Sequence, residues 1–228
     1  MVKSLVMPVN KAFSELERAA VYRAIAERRD VRRGFSSRPL PDELLQRLLA
    51  AAHSAPSVGL MQPSRFIVIR DLAKRRAVHN IFKEANAKAA AIYEGAQGEQ
   101  YAALKLEGIL EAPQNICIVC DTQNERGHKL GRQTMPETAA YSTVCAVQNL
   151  WLAARAEEVG VGWVSILDPI RLRAILEIPD HILPVAYLCV GYVDQFASQP
   201  ELERSGWEKR VPLETTVCYD VYSEGSKS

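Results

Sequence analysis

The sequence predicts a layered fold of α and β elements. Apolar, β-prone runs alternate with segments of helical period, and strands that alternate with helices form such layers. The chain has 228 residues, of which 48% are hydrophobic and 24% are charged. This size and composition predict one domain that spans 1–228. The β-prone runs lie at 65–70, 115–120, 160–167 and 185–192.

The overall charge and the cysteines narrow the classes of function. A formal net charge of +1 gives no general attraction for nucleic acid or for an anionic membrane, so we expect neither partner. The five cysteines are an odd set, four of them lie in apolar stretches, and the N-terminus has no secretory hydrophobic region. We therefore expect a cytoplasmic protein.

The first helix is predicted to deliver a cluster of arginines. Ser14-Glu15-Leu16-Glu17 has capping-box spacing, and the helical period continues up to Arg28-Arg29-Asp30-Val31-Arg32-Arg33. Four guanidinium groups in six residues suit bidentate binding of phosphate oxygens. The surrounding cations favour the ionised form of Asp30, which makes it a candidate base. The alternative is a solvated basic turn with one internal ion pair.

A loop of small residues follows the second helix. That helix is predicted to begin near Pro41-Asp42 and to stop at Pro56. The loop at 54–64 contains Pro and Gly and precedes the first β-prone run. Such a loop lets backbone amides approach a ligand closely, although a plain connection would have the same composition.

The segment 72–112 predicts a helical hairpin. It is rich in Ala, Lys and Glu, and Gly95 and Gly98 divide it into two helices. Little bulky apolar surface lies between Ala85 and Ala91, so we expect an excursion that leaves the core. A mobile lid over a site is one use of such an excursion.

Cys117 and Cys120 have the spacing of redox or zinc motifs. They lie in a predicted strand, however, which would point them to opposite faces. The histidines are too scattered in the sequence to suggest a metal site. We expect buried thiols and no metal.

A long uncharged helix predicts a second subunit. Thr134, Pro136 and Glu137 are predicted to form its N-terminus, and from 139 to 154 it has no charge and apolar residues on every side. Its Ser, Thr, Gln and Asn residues argue against a membrane span. Because a chain of this size can hardly enclose the whole helix, we expect one face to pack against a second copy.

The C-terminal region from 194 to 228 is predicted to be an arm. It is polar and irregular except for a β-prone run at 215–219. Because no other strand that could form a hairpin with it lies nearby, we expect this run to pair with a sheet edge, either in the same chain or in a partner subunit.

Three separated pieces of the chain together resemble the nitroreductase superfamily. They are the arginine-rich turn at 28–33, the loop that ends in Gln62-Pro63, and Lys209-Arg210-Val211-Pro212-Leu213-Glu214. The superfamily has an Arg-Arg-Ser-x-Arg-like turn, a Pro-Ser-x-x-x-x-Gln-Pro loop and a late basic residue before Pro-Leu-Glu. The resemblance covers nearly the whole chain. It implies an α+β nitroreductase-like FMN-binding fold with a central mixed sheet flanked by helices, and a homodimer with two interfacial FMN sites and an exchanged C-terminal segment.

The turn departs from the superfamily pattern because Asp30 stands where typical members have Ser. Together with Met61-Gln62-Pro63 and 162–167, it resembles the flavin-fragmenting branch. The resemblance implies that reduced FMN is consumed with O2 to give 5,6-dimethylbenzimidazole and erythrose 4-phosphate, the lower-ligand step of vitamin B12 (cobalamin) biosynthesis. The essential aspartate and serine of that branch fall on Asp30 and Ser165. We expect Asp30 to act as a base or proton relay and Ser165 to orient the oxygen adduct.

The resemblance also implies which residues contact FMN. The arginines and the late basic pair would hold phosphate or ring oxygens, the small-residue loop would border the isoalloxazine or ribityl chain, and the residues after Ser165 would offer backbone contacts. Met61 could instead pack in the core, and Lys209 could face solvent. The implied set is Arg28, Arg29, Asp30, Val31, Arg32, Ser57, Met61, Gln62, Ser165, Ile166, Leu167, Lys209 and Arg210.

Two other functions stay open at this point. An NAD(P)H-dependent FMN nitroreductase or flavin reductase would recycle the flavin. A non-catalytic flavin-binding module would need the arginines but not Asp30 and Ser165. These two residues favour the fragmenting enzyme, whose reduced FMN could come from a separate flavin reductase.

Overall fold

The computed structural model describes residues 12–223. Short 3-10 turns lie at Val58–Leu60, Arg126–Lys129 and Leu213–Thr215. The strands are β1 (Ser64–Ile69), β2 (Gln114–Asp121), β3 (Val159–Val164) and β4 (Ile182–Tyr192). The helices are α1 (Glu15–Glu27), α2 (Asp42–His53), α3 (Leu72–Ala90), α4 (Gly95–Ala103), α5 (Thr138–Ala156), α6 (Pro169–Leu176) and α7 (Glu201–Arg204).

The four strands form one sheet in the order β1-β2-β4-β3, and every neighbouring pair is antiparallel. The expectation of a mixed sheet was therefore wrong for these strands. Among residues 12–223, parallel pairing is limited to an isolated bridge between Asp30 and Val161. Apolar runs predict where strands lie, but they carry no information about the direction of the neighbouring strand.

Helices cover both faces of the sheet, which confirms the predicted α+β class. Helices α2 and α5 pack on one face, where Leu48 and Leu150 meet Leu188. Helices α3 and α6 pack on the other, where Val78 and Leu172 lie in the second core cluster. The sheet is thus the middle layer of three.

Helix α1 begins with the predicted capping box. The Glu17 backbone N–H donates to Ser14 Oγ at 3.3 Å, and the Ser14 backbone N–H donates to the Glu17 carboxylate at 2.7 Å. No residue of α1 is buried in the single chain. Leu16 is 83% exposed and Tyr22 is 71% exposed, so the apolar side of α1 has no cover within the described chain.

Helix α5 begins later than expected and is buried on one side only. Glu137 occupies the N-cap position without a side-chain cap, so the expected start at Thr134 was wrong. Tight turns bring Thr138 N–H to the Met135 carbonyl and precede the helix. Leu150 and Trp151 are buried, whereas Tyr141, Val144 and Cys145 are exposed. The helix is therefore not enclosed on all sides, and its exposed face is the one on which the sequence predicts a second copy.

The segment 72–112 is only partly an excursion. Val78, Ile81 and Phe82 of α3 are buried in the core, as is Ile109 near the end of the segment. The expected boundary was wrong because three bulky apolar residues precede the Ala-rich stretch. We call residues 83–104, which include the end of α3 and all of α4, the cover.

A buried arginine fastens the return from the cover to α3. The Arg75 side chain is surrounded by backbone carbonyls and donates to those of Ile109, Leu110, Ala112 and Pro113. These bonds satisfy carbonyls that have no helix or strand partner.

The run at 215–219 forms no strand in the described chain. It lies after the turn Leu213–Thr215, and all of its residues are exposed. A β-prone run without a neighbouring strand has no partner for its backbone hydrogen bonds, so it does not adopt strand structure here.

Cys117 and Cys120 are core residues, as predicted, and Cys189 is a third. Cys117, Cys120 and Cys189 are buried free thiols, and Cys117 and Cys120 lie in different hydrophobic clusters. Burial raises the pKa of Cys117 and of Cys189 to about 12. Within residues 12–223, no helix has the length and apolar character needed to cross a membrane.

Candidate active site

The arginine-rich turn lies along the free edge of β3. Helix α1 ends at Glu27 and Arg28 leaves helical geometry. The chain then runs beside β3, where the Val31 N–H donates to the Val161 carbonyl at 3.0 Å. This pairing places Asp30 at the sheet edge.

Both oxygens of the Asp30 carboxylate have fixed donors. Oδ2 accepts from Arg32 Nη2 at 2.7 Å and from Nε at 3.1 Å, and Oδ1 accepts from the Trp163 backbone N–H at 3.0 Å. The side chain is still 30% exposed. The carboxylate is therefore held in place with part of its surface open to a ligand.

Gly162 allows this close approach. A Cβ at Gly162 would lie 2.0 Å from the Val31 carbonyl oxygen and 3.6 Å from Asp30 Oδ1. Any larger residue would push the turn away from β3.

Ser165 directly follows the end of β3 and is exposed. It lies two residues beyond Trp163, about 7 Å along an extended chain, so Asp30 and Ser165 lie at the same edge. The Leu167 N–H donates to the Ser165 carbonyl at 2.9 Å, and Asp168 caps α6 by accepting from Ile170 N–H at 2.9 Å. The cap of α6 thus fixes the direction in which the chain leaves β3. Ile166 and Leu167 pack against the core cluster between the sheet, α3 and α6.

Arg28 lies over the ring of Trp151 and is affected by the charge of Arg210. Its guanidinium carbon is 4.7 Å from the centre of the Trp151 ring. Burial lowers the pKa of Arg28, the Asp30 carboxylate raises it, and the nearby charges of Arg210 and Arg29 lower it again. Since the cations repel, an anion between Arg28 and Arg210 would relieve that repulsion. The charge of Arg210 thus acts on Arg28, and Lys209 beside it in the sequence is exposed.

Arg29 and Arg33 both make contacts that fasten the chain, but the Nε atom of Arg29 is buried without a hydrogen-bond partner in the described chain. Arg29 donates to the carbonyls of Ala26, Arg28 and Ser198, and Arg33 pairs with Glu201 at 3.1 Å. Two of the three guanidinium nitrogens of Arg29 are thus already engaged, and the expectation that Arg29 contacts the flavin through the third stays a prediction. The position looked equivalent to Arg28 in the sequence because the distant carbonyl of Ser198 could not be foreseen.

A cavity of about 340 Å³ opens beside the turn. Arg32 borders it, and the Nη1 atom of Arg32 is buried without a hydrogen-bond partner in the described chain. A ligand whose oxygen atoms reached this donor or the equally unpartnered Arg29 Nε would satisfy it, and the ribityl chain and ring of a flavin offer such oxygens. The lining residues are Arg29, Asp30, Val31, Arg32, Arg33, Gly34, Asp194, Gln195, Ala197, Gln199, Glu201 and Arg204.

The loop with Ser57 and Gln62 lies elsewhere in the chain. The Gln62 N–H donates to Ser57 Oγ at 3.1 Å, and the Val58 N–H donates to Ser142 Oγ of α5 at 3.0 Å. Both Ser57 and Gln62 line a small recess beside α2 and α5, which shares no residue with the cavity at the arginine turn. One chain therefore does not bring the two predicted parts of the flavin site together.

Met61 belongs to the core. It is 1% exposed and packs with Cys120 and Ala139. Its side chain follows the packing alternative, and a contact between its backbone and the flavin stays a prediction. A methionine in a loop carries no periodic signal that separates these two uses.

Sequence reasoning missed the loop that fixes Ser57 and Gln62. Asn124 Nδ2 donates to the Met61 carbonyl at 3.0 Å, and Gly127 lies against Gly59 so closely that a Cβ on Gly127 would be 2.1 Å from the Gly59 carbonyl oxygen. The sequence shows Gly127 in a polar loop, but it does not show that Gly59 is the residue that Gly127 contacts. Within residues 12–223, no group of three His, Cys, Asp or Glu side chains could hold a metal ion.

The model of the Nitroreductase family matches residues 25–192 of the chain. The match includes the arginine-rich turn, the small-residue loop and all four strands, and it covers more than half of the chain. The protein therefore belongs to the nitroreductase family.

Two curated relatives are named 5,6-dimethylbenzimidazole synthase. The protein from Rhodospirillum rubrum is 48% identical over 185 residues, which cover 81% of this chain and 87% of the relative. The protein from Rhodobacter capsulatus is 40% identical over 202 residues, which cover 89% of this chain and 97% of the relative. These likenesses extend over nearly the full length of both relatives.

Solved structures share the fold at low identity. Oxidised iodotyrosine deiodinase bound to FMN and 3-iodo-L-tyrosine matches with a TM-score of 0.69 at 20% identity, covering 89% of this chain and all of that chain (100%). The NADPH:FMN oxidoreductase from Vibrio harveyi, complexed with NAD+, matches with a TM-score of 0.65 at 18% identity, covering 90% and 79%. At these identities the comparison shows a nitroreductase-like fold.

Proposed function

We propose that the protein fragments reduced FMN with O2 to 5,6-dimethylbenzimidazole and erythrose 4-phosphate, the lower-ligand step of cobalamin biosynthesis. The observation that carries this proposal is the Asp30 carboxylate, which is held at the edge of β3 where typical superfamily members have Ser. The names of the relatives that are 48% and 40% identical support the same reaction.

FMN is proposed to bind along the edge of β3. Arg28 and Arg210 would hold the phosphate, with Lys209 adding charge beside them, because their mutual repulsion favours an anion between them. Arg32 would donate its unpartnered Nη1 to a ribityl or ring oxygen. Val31, Ile166 and Leu167 would border the flavin through the backbone near Asp30 and Ser165.

A second copy of the chain is proposed to complete the site. Ser57 and Gln62 lie away from Asp30 in one chain, while α1 and one face of α5 expose Leu16, Tyr22 and Tyr141. A homodimer that covers these faces could bring the loop of one subunit to the arginine turn of the other. The C-terminal segment could extend across the same interface.

Asp30 and Ser165 are proposed to divide the chemical work. When bound, reduced FMN supplies the electrons for O2 and the carbon atoms of the benzimidazole. Asp30 would accept a proton from a carbon or hydroxyl of the ribityl chain near the ring, since its carboxylate oxygens are acceptors. The Ser165 hydroxyl would donate a hydrogen bond to oxygen at the reacting face of the ring.

The cover and the surroundings fit this chemistry. Residues 83–104 would exclude water and competing oxidants while the flavin is consumed.

No metal is needed for these steps, and a separate flavin reductase could provide reduced FMN. The buried free thiols favour a reducing compartment, and we propose the cytoplasm.

One experiment separates this function from its alternatives. Reduced FMN is bound to the protein without oxygen, air is admitted, and the small molecules are analysed by chromatography and mass spectrometry. Loss of flavin with equimolar 5,6-dimethylbenzimidazole supports the proposal. Quantitative recovery of intact FMN contradicts it and favours a flavin-binding module, and repeated NAD(P)H consumption with an added acceptor favours a reductase.

A further inference from the structure

The segment 198–210 connects three parts of the molecule. It is tied to the arginine-rich turn by the bond from Arg29 to the Ser198 carbonyl at 2.6 Å and by the Arg33–Glu201 ion pair at 3.1 Å. It ends at Arg210, whose charge acts on Arg28. Between these two attachments the segment touches the cover.

Trp207 makes that contact with the cover. The centre of its ring lies 5.3 Å from that of Tyr93 and 5.9 Å from that of Tyr101, both in edge-to-face arrangements. The two tyrosine rings stack with their centres 4.7 Å apart. Gln100 of α4 adds a hydrogen bond to the Ser205 carbonyl at 3.1 Å. The backbone of Trp207 is held in turn, because its backbone N–H donates to the Leu202 carbonyl at 2.9 Å.

Contacts within the cover make the aromatic contact with Trp207 an attachment point for α4. Tyr101 is the one buried residue of α4, and its hydroxyl donates to Asn86 Oδ1 of α3 at 2.7 Å. The remaining residues of α4 bury little apolar surface. The aromatic group of Tyr93, Tyr101 and Trp207 is therefore the main packing that holds α4, and Trp207 is only three residues from Arg210.

We propose that Trp207 is a positioning residue that couples phosphate binding at Arg28 and Arg210 to closure of the cover. An anion that draws Arg210 toward Arg28 also fixes the chain that carries Trp207, and Trp207 fixes α4 through the two tyrosines. The cover then becomes ordered when FMN is bound and loosens when a phosphate-free flavin is bound. This inference rests on the proposed FMN site.

Hydrogen exchange of the full-length protein tests the coupling with oxidised FMN, so that no fragmentation is required. Exchange in residues 83–104 is compared for the free protein, the protein with FMN and the protein with riboflavin, which has the same ring without phosphate. We expect FMN to slow exchange in the cover roughly tenfold, in line with the worth of an aromatic contact, and riboflavin to have little effect.

Variants on both sides of the contact decide the outcome. Trp207→Ala and Tyr93→Leu should abolish the FMN-dependent slowing, and Trp207→Phe should retain part of it. Tyr219→Ala removes an exposed aromatic residue of the same C-terminal region and should respond like the unaltered protein. Because Tyr93 lies on the cover, Tyr93→Leu tests the contact even if Trp207→Ala fails to fold.

The inference is overturned by equal slowing in Trp207→Ala and the unaltered protein, by equal slowing with riboflavin and FMN, or by no slowing at all. Binding of FMN to the unaltered protein, measured by flavin fluorescence, separates the two proposals. If FMN binds and is fragmented but the cover exchanges freely, the coupling is wrong and the proposed function stands. If FMN does not bind, both fall.

Discussion

The position of the Asp30 carboxylate depends on two donors of different kinds. The Arg32 guanidinium neutralises its charge, while the Trp163 backbone N–H ties it to β3. A neutral hydroxyl at this position would keep the contact with β3 but could not accept a proton at neutral pH. The side chain at position 30 is thus the proposed difference between a family member that recycles flavin and one that consumes it.

Ser165 provides a second test at the level of one residue. Ser165→Ala should leave FMN affinity unchanged and lower benzimidazole formation roughly 10²- to 10³-fold, because one donor to developing charge is lost. The measurement is the ratio of benzimidazole to intact reoxidised FMN after a single exposure to air. Ser165→Thr keeps the hydroxyl and should recover part of the yield. An unchanged ratio in Ser165→Ala would remove this residue from the reaction.

Individual site residues were predictable to different degrees. Asp30, Ser165 and Arg210 were found from local motifs, and the structure places the first two along one strand edge and the third near Arg28. Sequence alone could not show that Arg29 also binds the Ser198 carbonyl, nor decide whether the Met61 side chain packs in the core, because these partners lie far away in sequence. A motif identifies a residue type at a position, but only the tertiary structure shows whether its side chain is already engaged.

At the level of elements, local signals were reliable and long-range ones were not. The capping box placed the start of α1 correctly, since both of its hydrogen bonds lie within four residues. The start of α5 was misjudged, because a cap-like spacing does not by itself begin a helix. The run at 215–219 finds no sheet edge within the described chain, and its pairing with a partner subunit stays a prediction. The first half of α3 was predicted to be part of the excursion at 72–112, although its apolar residues belong to the core.

The contact between two glycines fixes the loop that carries Gln62. Gly127→Ala would place a methyl group 2.1 Å from the Gly59 carbonyl oxygen at a backbone φ of +75°. We expect a loss of about 1–3 kcal/mol in the free energy of unfolding, measured by urea denaturation, and weaker FMN binding.

Gly95→Ala is the matched control for this change. Gly95 also has a positive φ, of +55°, but a Cβ there would meet nothing within 4 Å. It should show only the smaller cost of the left-handed backbone. Equal losses in the two variants would mean that the loop contact contributes nothing.

The buried Arg75 holds the return from the cover. Arg75→Met should leave several carbonyls of residues 109–113 buried without donors, at a cost of about 1–3 kcal/mol for each that stays unsatisfied. Urea denaturation and hydrogen exchange at 104–113 would measure this loss. Its exposed neighbour offers a control, since Arg76→Met should change neither value. Unaltered exchange in Arg75→Met would show that water replaces the guanidinium.

At the scale of the whole molecule, residues 12–223 hold the predicted site residues in two separate places and leave one face each of α1 and α5 largely exposed. Asp30 and Ser165 lie at the edge of β3, while Ser57 and Gln62 lie beside α2 and α5. The sequence predicted a partner from the uncharged character of α5, and the exposed Tyr141, Val144 and Cys145 show where such a partner would pack. How two copies align could not be read from the sequence, because complementarity between surfaces has no local signature.

Thiol labelling tests the assembly. Cys145 lies on the uncovered face of α5, whereas Cys218 is exposed on the C-terminal segment, where hydrogen bonds from Ser223 lower its pKa. Iodoacetamide should therefore label Cys145 slowly at high protein concentration, while Cys218 reacts wherever the C-terminal segment is not covered by the partner. Labelling of Cys145 should accelerate on dilution as the dimer dissociates. Fast labelling of Cys145 at every concentration would contradict the proposed interface, while the buried Cys117 and Cys189 serve as unreactive references.

The most direct test of the account is the fate of bound reduced FMN in Asp30→Asn. The amide oxygen can still accept from the Trp163 N–H, so we expect FMN affinity within a few-fold of the unaltered protein. On admission of air, we expect intact FMN to be recovered and no 5,6-dimethylbenzimidazole to form. Asp30→Ser, with the residue typical of the superfamily, should behave in the same way. Benzimidazole formation at the normal rate in Asp30→Asn would contradict the proposal that this carboxylate takes part in breaking the flavin.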